Sequence, residues 1–145
     1  MISESARYYG VVLSYLVDNT DGPILICQQE DALPGEYLIN ESVSVLIKYS
    51  TRRKGPWSFN VHRSHLLRVK QISKSVQKSV VVFVCGSDGI VAIALDDLNK
   101  IVVDGPAQQA ISVRRKLRQM YGLKGPAGGL DRRLSRGSLA SLIQA

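Results

Sequence analysis

Apolar residues recur along the first half of the chain at two spacings, which predict a helix followed by strands. Residues 3–17 carry apolar side chains at three- and four-residue intervals, so we expect an amphipathic helix that Ser3 caps. Short apolar runs at 24–28 and 36–39 are bounded by turn residues and predict two strands. Residues 43–50 are rich in β-branched side chains and predict the central strand of a sheet.

In the second half of the chain, apolar residues again recur at both strand and helix spacings. Residues 57–61 alternate between apolar and polar positions, and 62–75 mix apolar and basic positions as an amphipathic helix does. The continuous apolar run at 80–85 is typical of a strand buried on both faces, and an Asp-Gly turn leads from it into a return strand at 90–95. The pattern predicts two further helices, at 96–102 and 107–121.

This order of elements predicts one α/β domain with a mixed sheet of about five strands and flanking helices. A strand-helix-strand crossover between 43–50 and 80–85 implies a right-handed parallel pairing, and the Asp-Gly hairpin adds an antiparallel strand. We place the core in residues 1–121. Residues 122–145 are expected to form a Gly/Pro-rich link and a short basic C-terminal arm.

Length and composition restrict the class of protein. The 145 residues contain no apolar run near the ~18–20 residues that span a membrane, and the N-terminus lacks the pattern of a signal peptide. The two cysteines, Cys27 and Cys85, lie in apolar runs without a partner motif, so we expect small buried side chains rather than a zinc site. These features favour a cytoplasmic protein.

The net charge of +7 is divided unevenly along the chain. Residues 48–78 hold nine basic side chains and no acid, and residues 111–145 hold eight basic side chains and one acid. Acids outnumber bases in the rest of the chain. Segregated positive charge is what neutralises phosphates and releases their counterions, so nucleic acid is the expected partner. A solvated basic face that serves solubility is the alternative interpretation.

Residues 45–51, Val-Leu-Ile-Lys-Tyr-Ser-Thr, carry a resemblance to a known family. They resemble the third strand of PD-(D/E)XK nucleases, in which an acid-x-Lys triplet is followed by small hydroxyl residues. Residues 56–60 resemble the segment that leads into the crossover helix, and 83–95 resemble the strand-turn-strand that follows it. The resemblance covers the layout of residues 3–100. It implies a restriction-endonuclease-like core of the resolvase or intron-endonuclease type.

The resemblance also implies a Mg²⁺ site, in which two acids hold the metal and the lysine steadies the attacking group or the phosphate. Lys48 matches the lysine, but the acid of the triplet falls on Leu46, which cannot ligate a metal. Glu41 and Glu30 precede Lys48 and are the candidate catalytic and metal-binding acids. Other acids that remain open for this role are Glu4, Asp31 and Glu36. If none serves, the core binds without cutting.

Residues for binding nucleic acid are expected in both basic blocks. The candidates are Lys48, Arg52, Arg53, Lys54, Trp57, His62, Arg63, Arg114, Arg115 and Arg118. The basic turn beside Trp57 is of the kind that stacks bases and follows a backbone, although packing of Trp57 as core is the favoured interpretation.

The sequence therefore predicts a nucleic-acid-binding protein with a nuclease-like fold, either a metal-dependent phosphodiesterase or a catalytically silent relative. Two alternatives stay open. One is an adaptor or inhibitor whose basic face binds an acidic protein. The other is a small metal-independent ribonuclease using Lys48, His62 and His65, because histidines three apart share one face of a helix. A homodimer is plausible in each case, and DNA and RNA are not distinguished.

Overall fold

The computed structural model describes residues 1–144 as four helices and nine strands. In chain order the elements are α1 Glu4–Asp18, β1 Ile26–Cys27, β2 Glu36–Ile39, β3 Val43–Ser50, β4 Trp57–His62, α2 Arg63–Ile72, β5 Lys78–Cys85, β6 Gly89–Ala94, α3 Leu95–Ile101, β7 Gln108–Arg114, β8 Gly122–Gly125, β9 Gly128–Gly129 and α4 Ser138–Gln144. Three predicted helices are thereby confirmed as α1, α2 and α3, and the strands at 43–50 and 80–85 as β3 and β5.

The first sheet has five strands in the order β1-β2-β3-β5-β6. Strands β3 and β5 run parallel over their full length, from Val43 opposite Lys78 to Ser50 opposite Cys85, and every other pair in this sheet is antiparallel. The predicted α/β class, mixed five-stranded sheet and parallel crossover are therefore confirmed. The crossover contains β4 as well as α2, and β4 belongs to a different sheet.

A second, wholly antiparallel sheet has the order β4-β7-β8-β9 and was not predicted. It packs on one face of the first sheet, where Leu46 and Phe83 point towards it and the rings of Phe59 and Phe83 lie 4.7 Å apart. The other face of the first sheet carries a separate apolar cluster that includes Val12 of α1 and Leu139 of α4. The first sheet is thus covered on both faces.

The helix predicted over 107–121 is wrong. Residues 108–114 form β7, in which Gln109, Ile111 and Val113 are buried while Gln108, Ala110 and Arg114 are exposed. That alternation has the period of a strand, and the buried side chains pack against the first sheet. The run of cations after Val113 suggested a helix, but residues 115–120 form an irregular loop.

The Gly/Pro-rich link predicted at 122–129 is the β8–β9 hairpin. Gly125 is required there, because a Cβ atom on it would lie 2.1 Å from the carbonyl oxygen of Ile101. Leu134 and Leu139, farther along the chain, are both buried in the core. The boundary that we expected after residue 121 therefore falls immediately before a strand of the second sheet.

Two predictions from composition have different outcomes in the structure. Cys85 is buried as expected, but Cys27 is exposed, because β1 is a two-residue strand at the edge of the first sheet. None of the helices in residues 1–144 is long and apolar enough to cross a membrane.

Candidate functional site

The two basic blocks, which are far apart in sequence, line one cleft of about 760 Å³. One wall is the turn between β3 and β4, and the other is the loop after β7. We call this the basic cleft. Five exposed cations line it, and we call them the cleft cations: Arg53, Lys54, Arg114, Lys116 and Arg133. The other lining residues are Gly55, Pro56, Trp57, Asp88, Arg115 and Leu117.

The cleft cations are not neutralised by the protein. Within residues 1–144 none of them forms an ion pair, and Arg133 donates only to the backbone oxygen of Met120, at 3.5 Å. The single acid among the lining residues is Asp88, which is already paired. A concave surface lined by charge of one sign focuses the field and raises the local concentration of counterions. The basic cleft is therefore suited to a polyanion.

Asp88 and Arg115 hold the second wall in place. The guanidinium of Arg115 donates to both carboxylate oxygens of Asp88, at 2.5 and 2.8 Å, and the hydroxyl of Tyr121 donates to the same carboxylate at 2.5 Å. Arg136 donates to the backbone oxygen of Asp88. The hydrogen bonds from Arg115 are the largest cause that lowers the pKa of Asp88. Arg115, a predicted phosphate ligand, is thus occupied, with only 8% of its side chain exposed.

Trp57 is core rather than a stacking surface. Its side chain is buried at the base of the basic cleft, and its indole N–H donates to the backbone oxygen of Arg52 at 2.9 Å. This bond fixes the turn that carries Arg53 and Lys54. Of the two roles left open for Trp57, the geometry therefore supports the structural one.

The other predicted phosphate ligands lie outside the basic cleft. Arg52 is exposed and donates to the backbone oxygen of Pro56 at 3.3 Å. Arg118 is exposed at a positive φ of 64° in the loop after β7. Arg63 lines a separate hollow of about 200 Å³ beside α2.

A second group of titratable side chains lies where β3 meets α2. The Nζ atom of Lys48 contacts Nδ1 of His65, and the ring of His65 lies 5.1 Å from that of His62. We call these three residues the base cluster. Burial lowers the pKa of Lys48. Burial and, secondarily, the positive charges of Lys48 and His62 lower the pKa of His65. Within residues 1–144 no carboxylate pairs with any member of the base cluster.

The predicted metal-binding acids do not come together. Glu30 precedes β2 and Glu41 follows it, so they lie at opposite ends of that strand. Glu41 also lies at the start of β3, seven residues or about 23 Å of extended chain from Lys48. No group of three or more His, Cys, Asp or Glu side chains in residues 1–144 is arranged to hold a metal ion. Glu30, Glu41 and Lys48 therefore do not fit the Mg²⁺ site that the resemblance implies.

Glu36 is the acid that lies nearest in register to the degenerate triplet. It pairs across strands with Leu46, but its carboxylate accepts two hydrogen bonds from Arg68, at 2.9 and 2.8 Å. Arg68 also binds Asp31 at 2.9 Å. Because Glu36 is buried and held by a guanidinium, its oxygens are already satisfied. Arg68 thus occupies the carboxylate oxygens of Glu36 that a metal ion would need as ligands.

No family model, curated protein or solved structure matches the chain. The candidate site therefore stands on its own geometry. Lys116 and Arg133 line the cleft although neither is among the predicted binding residues, and the role of Asp88 was not predicted. Asp88 was interpreted only as a turn residue, and no local signal connects it to Arg115, 27 residues later.

We expect Asp88→Asn to destabilise the fold strongly. The change leaves the guanidinium of Arg115 without its counterion. Because 22% of the Asp88 side chain is exposed, we expect a loss of about 2 kcal/mol, which is less than the cost of breaking a fully buried ion pair. Urea unfolding followed by circular dichroism measures the effect. Asp104→Asn is the control, because Asp104 is 97% exposed in its pair with Lys70 and should change stability by less than about 0.5 kcal/mol.

The double variant Asp88→Asn with Arg115→Met should recover part of the lost stability, since it leaves no buried charge unpaired. If Asp88→Asn alone unfolds at the wild-type urea concentration, the ion pair does not anchor the loop.

We expect the free energy of unfolding to fall as the pH is lowered from about 7.5 to 5. The pKa of His65 is lower in the folded chain than in the unfolded one, so below about pH 6.5 the unfolded state binds more protons and is favoured. Asp88 adds no slope in this range, because its lowered pKa affects stability only under more acidic conditions. Urea unfolding at several pH values tests this.

His65→Gln should flatten that dependence, whereas His62→Gln, which changes an exposed ring, should keep most of it. An equal slope in wild type and His65→Gln would contradict the assignment to His65.

Proposed function

We propose that this chain binds nucleic acid through the basic cleft. The observation that carries the proposal is that five cations without ion-pair partners, drawn from both basic blocks, line a single concave surface. A concave surface lined by cations is complementary to the phosphate backbone in both charge and shape. Each phosphate that it neutralises releases condensed counterions, which is the main source of affinity that does not depend on base sequence.

We propose further that the core is related to the PD-(D/E)XK nucleases in layout but lacks their metal-dependent activity. Support comes from the parallel β3–β5 pair, the crossover through α2 and the place of Lys48 near the end of β3. Against metal-dependent cleavage stand Leu46 at the position of the acid and the engagement of Glu36 by Arg68. We therefore propose that this core binds nucleic acid and does not cleave it by a Mg²⁺-dependent reaction.

The alternative of an adaptor for an acidic protein shares the same charged surface. The cleft differs from a generic basic face in being concave, with two walls that each carry cations. Protein interfaces are usually depleted in lysine at their centre, whereas phosphate backbones are bound by lysine and arginine alike. This comparison favours nucleic acid as the partner.

The double variant Arg114→Ala with Lys116→Ala should weaken binding of a fluorescent DNA or RNA oligonucleotide, measured by anisotropy. Both cations line the cleft and neither forms an ion pair, so the change removes contacts without disturbing Arg115. The slope of log K against log salt should fall in magnitude by about 1.8 for a duplex and about 1.4 for a single strand.

The matched control is Arg7→Ala with Lys74→Ala, which removes the same charge from exposed positions outside the cleft. It should leave the slope within about 0.5 of wild type. Equal losses in both double variants would contradict binding at the cleft. Absence of any affinity for DNA or RNA at ~50 mM salt would contradict the proposed function as a whole.

A further inference from the structure

Lys48 is a half-buried cation whose contact is with another base, the ring of His65. Taking an ammonium out of water is costly unless an anion or a set of hydrogen-bond acceptors compensates it. Arg68 and Arg115, whose side chains are also largely buried, each have a carboxylate. Within residues 1–144, no carboxylate compensates the charge of Lys48 in the base cluster. A phosphate group of a ligand would supply that anion.

From this geometry we propose that Lys48, His62 and His65 form a metal-independent site that binds and cleaves a phosphodiester of RNA. The inference rests on the proposed function, because the basic cleft is what holds the polynucleotide. It adds an activity that binding alone does not require.

A continuous exposed face connects the cleft to the base cluster. Along β4 the side chains of Ser58, Asn60 and His62 are exposed while the intervening ones are buried. Trp57, at the start of the strand, lies at the base of the basic cleft, so the strand spans about 17 Å between cleft and cluster.

The second sheet contains no Asp or Glu in any of its four strands. On the neighbouring strands β7 and β8, Gln108 and Lys124 are exposed and Ser112 is half-buried. Hydroxyl, amide and ammonium groups of this kind contact phosphates and sugars. A polynucleotide that lies along this sheet therefore meets no acidic side chain from its four strands.

The contacts assign a role to each member of the base cluster. An ammonium can only donate, so Lys48 donates to Nδ1 of His65, and the proton of the neutral imidazole then lies on Nε2. Nε2–H of His65 is the donor available to a ligand. His62 is exposed beside it, and its neutral ring is the base that a substrate can reach.

In the reaction, His62 accepts the proton of a ribose 2′-hydroxyl while the 2′-oxygen forms a bond to the adjacent phosphorus. The bond between phosphorus and the 5′-oxygen breaks, and that oxygen leaves with the electron pair. It takes the Nε2 proton of His65 as Lys48 passes a proton to Nδ1. The products are a 2′,3′-cyclic phosphate and a 5′-hydroxyl. Water then carries one proton from His62 to Nε2 of His65, and the Nδ1 proton of His65 returns to Lys48. The nucleophile belongs to the substrate, so no metal-activated water is required.

The test uses the full chain and a short RNA labelled at its 5′ end with a fluorophore, in the presence of EDTA. A matched oligonucleotide carries a single ribonucleotide among deoxyribonucleotides, and a third is all DNA. We expect cleavage of the RNA and of the chimaera at its one ribonucleotide, no cleavage of the DNA, and 2′,3′-cyclic phosphate ends by mass spectrometry. Cleavage of the DNA, or products with 5′-phosphate ends, would overturn the mechanism.

Variants separate the base cluster from the cleft and from any contaminating ribonuclease. Lys48→Met, His62→Gln and His65→Gln, purified identically, should each cleave at least about 100-fold more slowly while still binding RNA through the basic cleft, as measured by anisotropy. Arg7→Ala with Lys74→Ala should cleave at the wild-type rate. Wild-type rates in the three cluster variants would overturn the proposal.

Lys48→Met also distinguishes a functional lysine from a structural one. Methionine fills a similar volume without a charge, so this variant should unfold at a urea concentration no lower than wild type while losing cleavage. A destabilised Lys48→Met would make Lys48 a structural residue and overturn its assignment. If the wild-type chain binds RNA but yields no cleavage, this inference fails and the proposed function stands. If it binds neither RNA nor DNA, both fail.

Discussion

The partly buried ion pair between Asp88 and Arg115 is the contact on which the candidate site depends. It joins the turn of the β5–β6 hairpin in the first sheet to the loop after β7 in the second. Desolvation of both charges opposes such a pair, and here the guanidinium fork and the hydroxyl of Tyr121 satisfy the carboxylate from two sides. Without this anchor the loop would have no fixed position opposite the turn that carries Arg53 and Lys54, and the basic blocks would line no common cleft.

Much of the first sheet and its helices could be predicted because their signals are local. The apolar run of β5, the β-branched residues of β3 and the three- and four-residue spacing in α1 each fall within one window of sequence. The second sheet could not be predicted in this way. Its strand β7 has a clear alternation, but the cations that follow it imitate a helix, and β8 is half glycine. Its formation depends on pairing with β4, 46 or more residues earlier in the chain.

In the candidate site, too, the features with a local sequence signal could be predicted and those that depend on tertiary contacts could not. Lys48 and the basic turn could be recognised from sequence, because a lone cation in an apolar strand and a run of cations at a turn are visible without partners. Burial of Trp57, pairing of Arg115 and contact between Lys48 and His65 are tertiary facts. Glu30 and Glu41 precede Lys48 in the sequence, but β2 separates them from each other, since antiparallel strands place successive turns at opposite ends.

The cations of this chain fall into two physical classes, and the class decides what each can do. Arg68, Arg115 and Arg132 are bound to carboxylates, so their charge stabilises the fold and adds little to the outside field. The cleft cations and the base cluster have no such partner within residues 1–144. Net charge and block counts cannot separate these classes, because pairing depends on geometry. The positive surface open to a polyanion is therefore smaller than the net charge suggests, and the basic cleft gathers five of its cations without ion pairs on one concave surface.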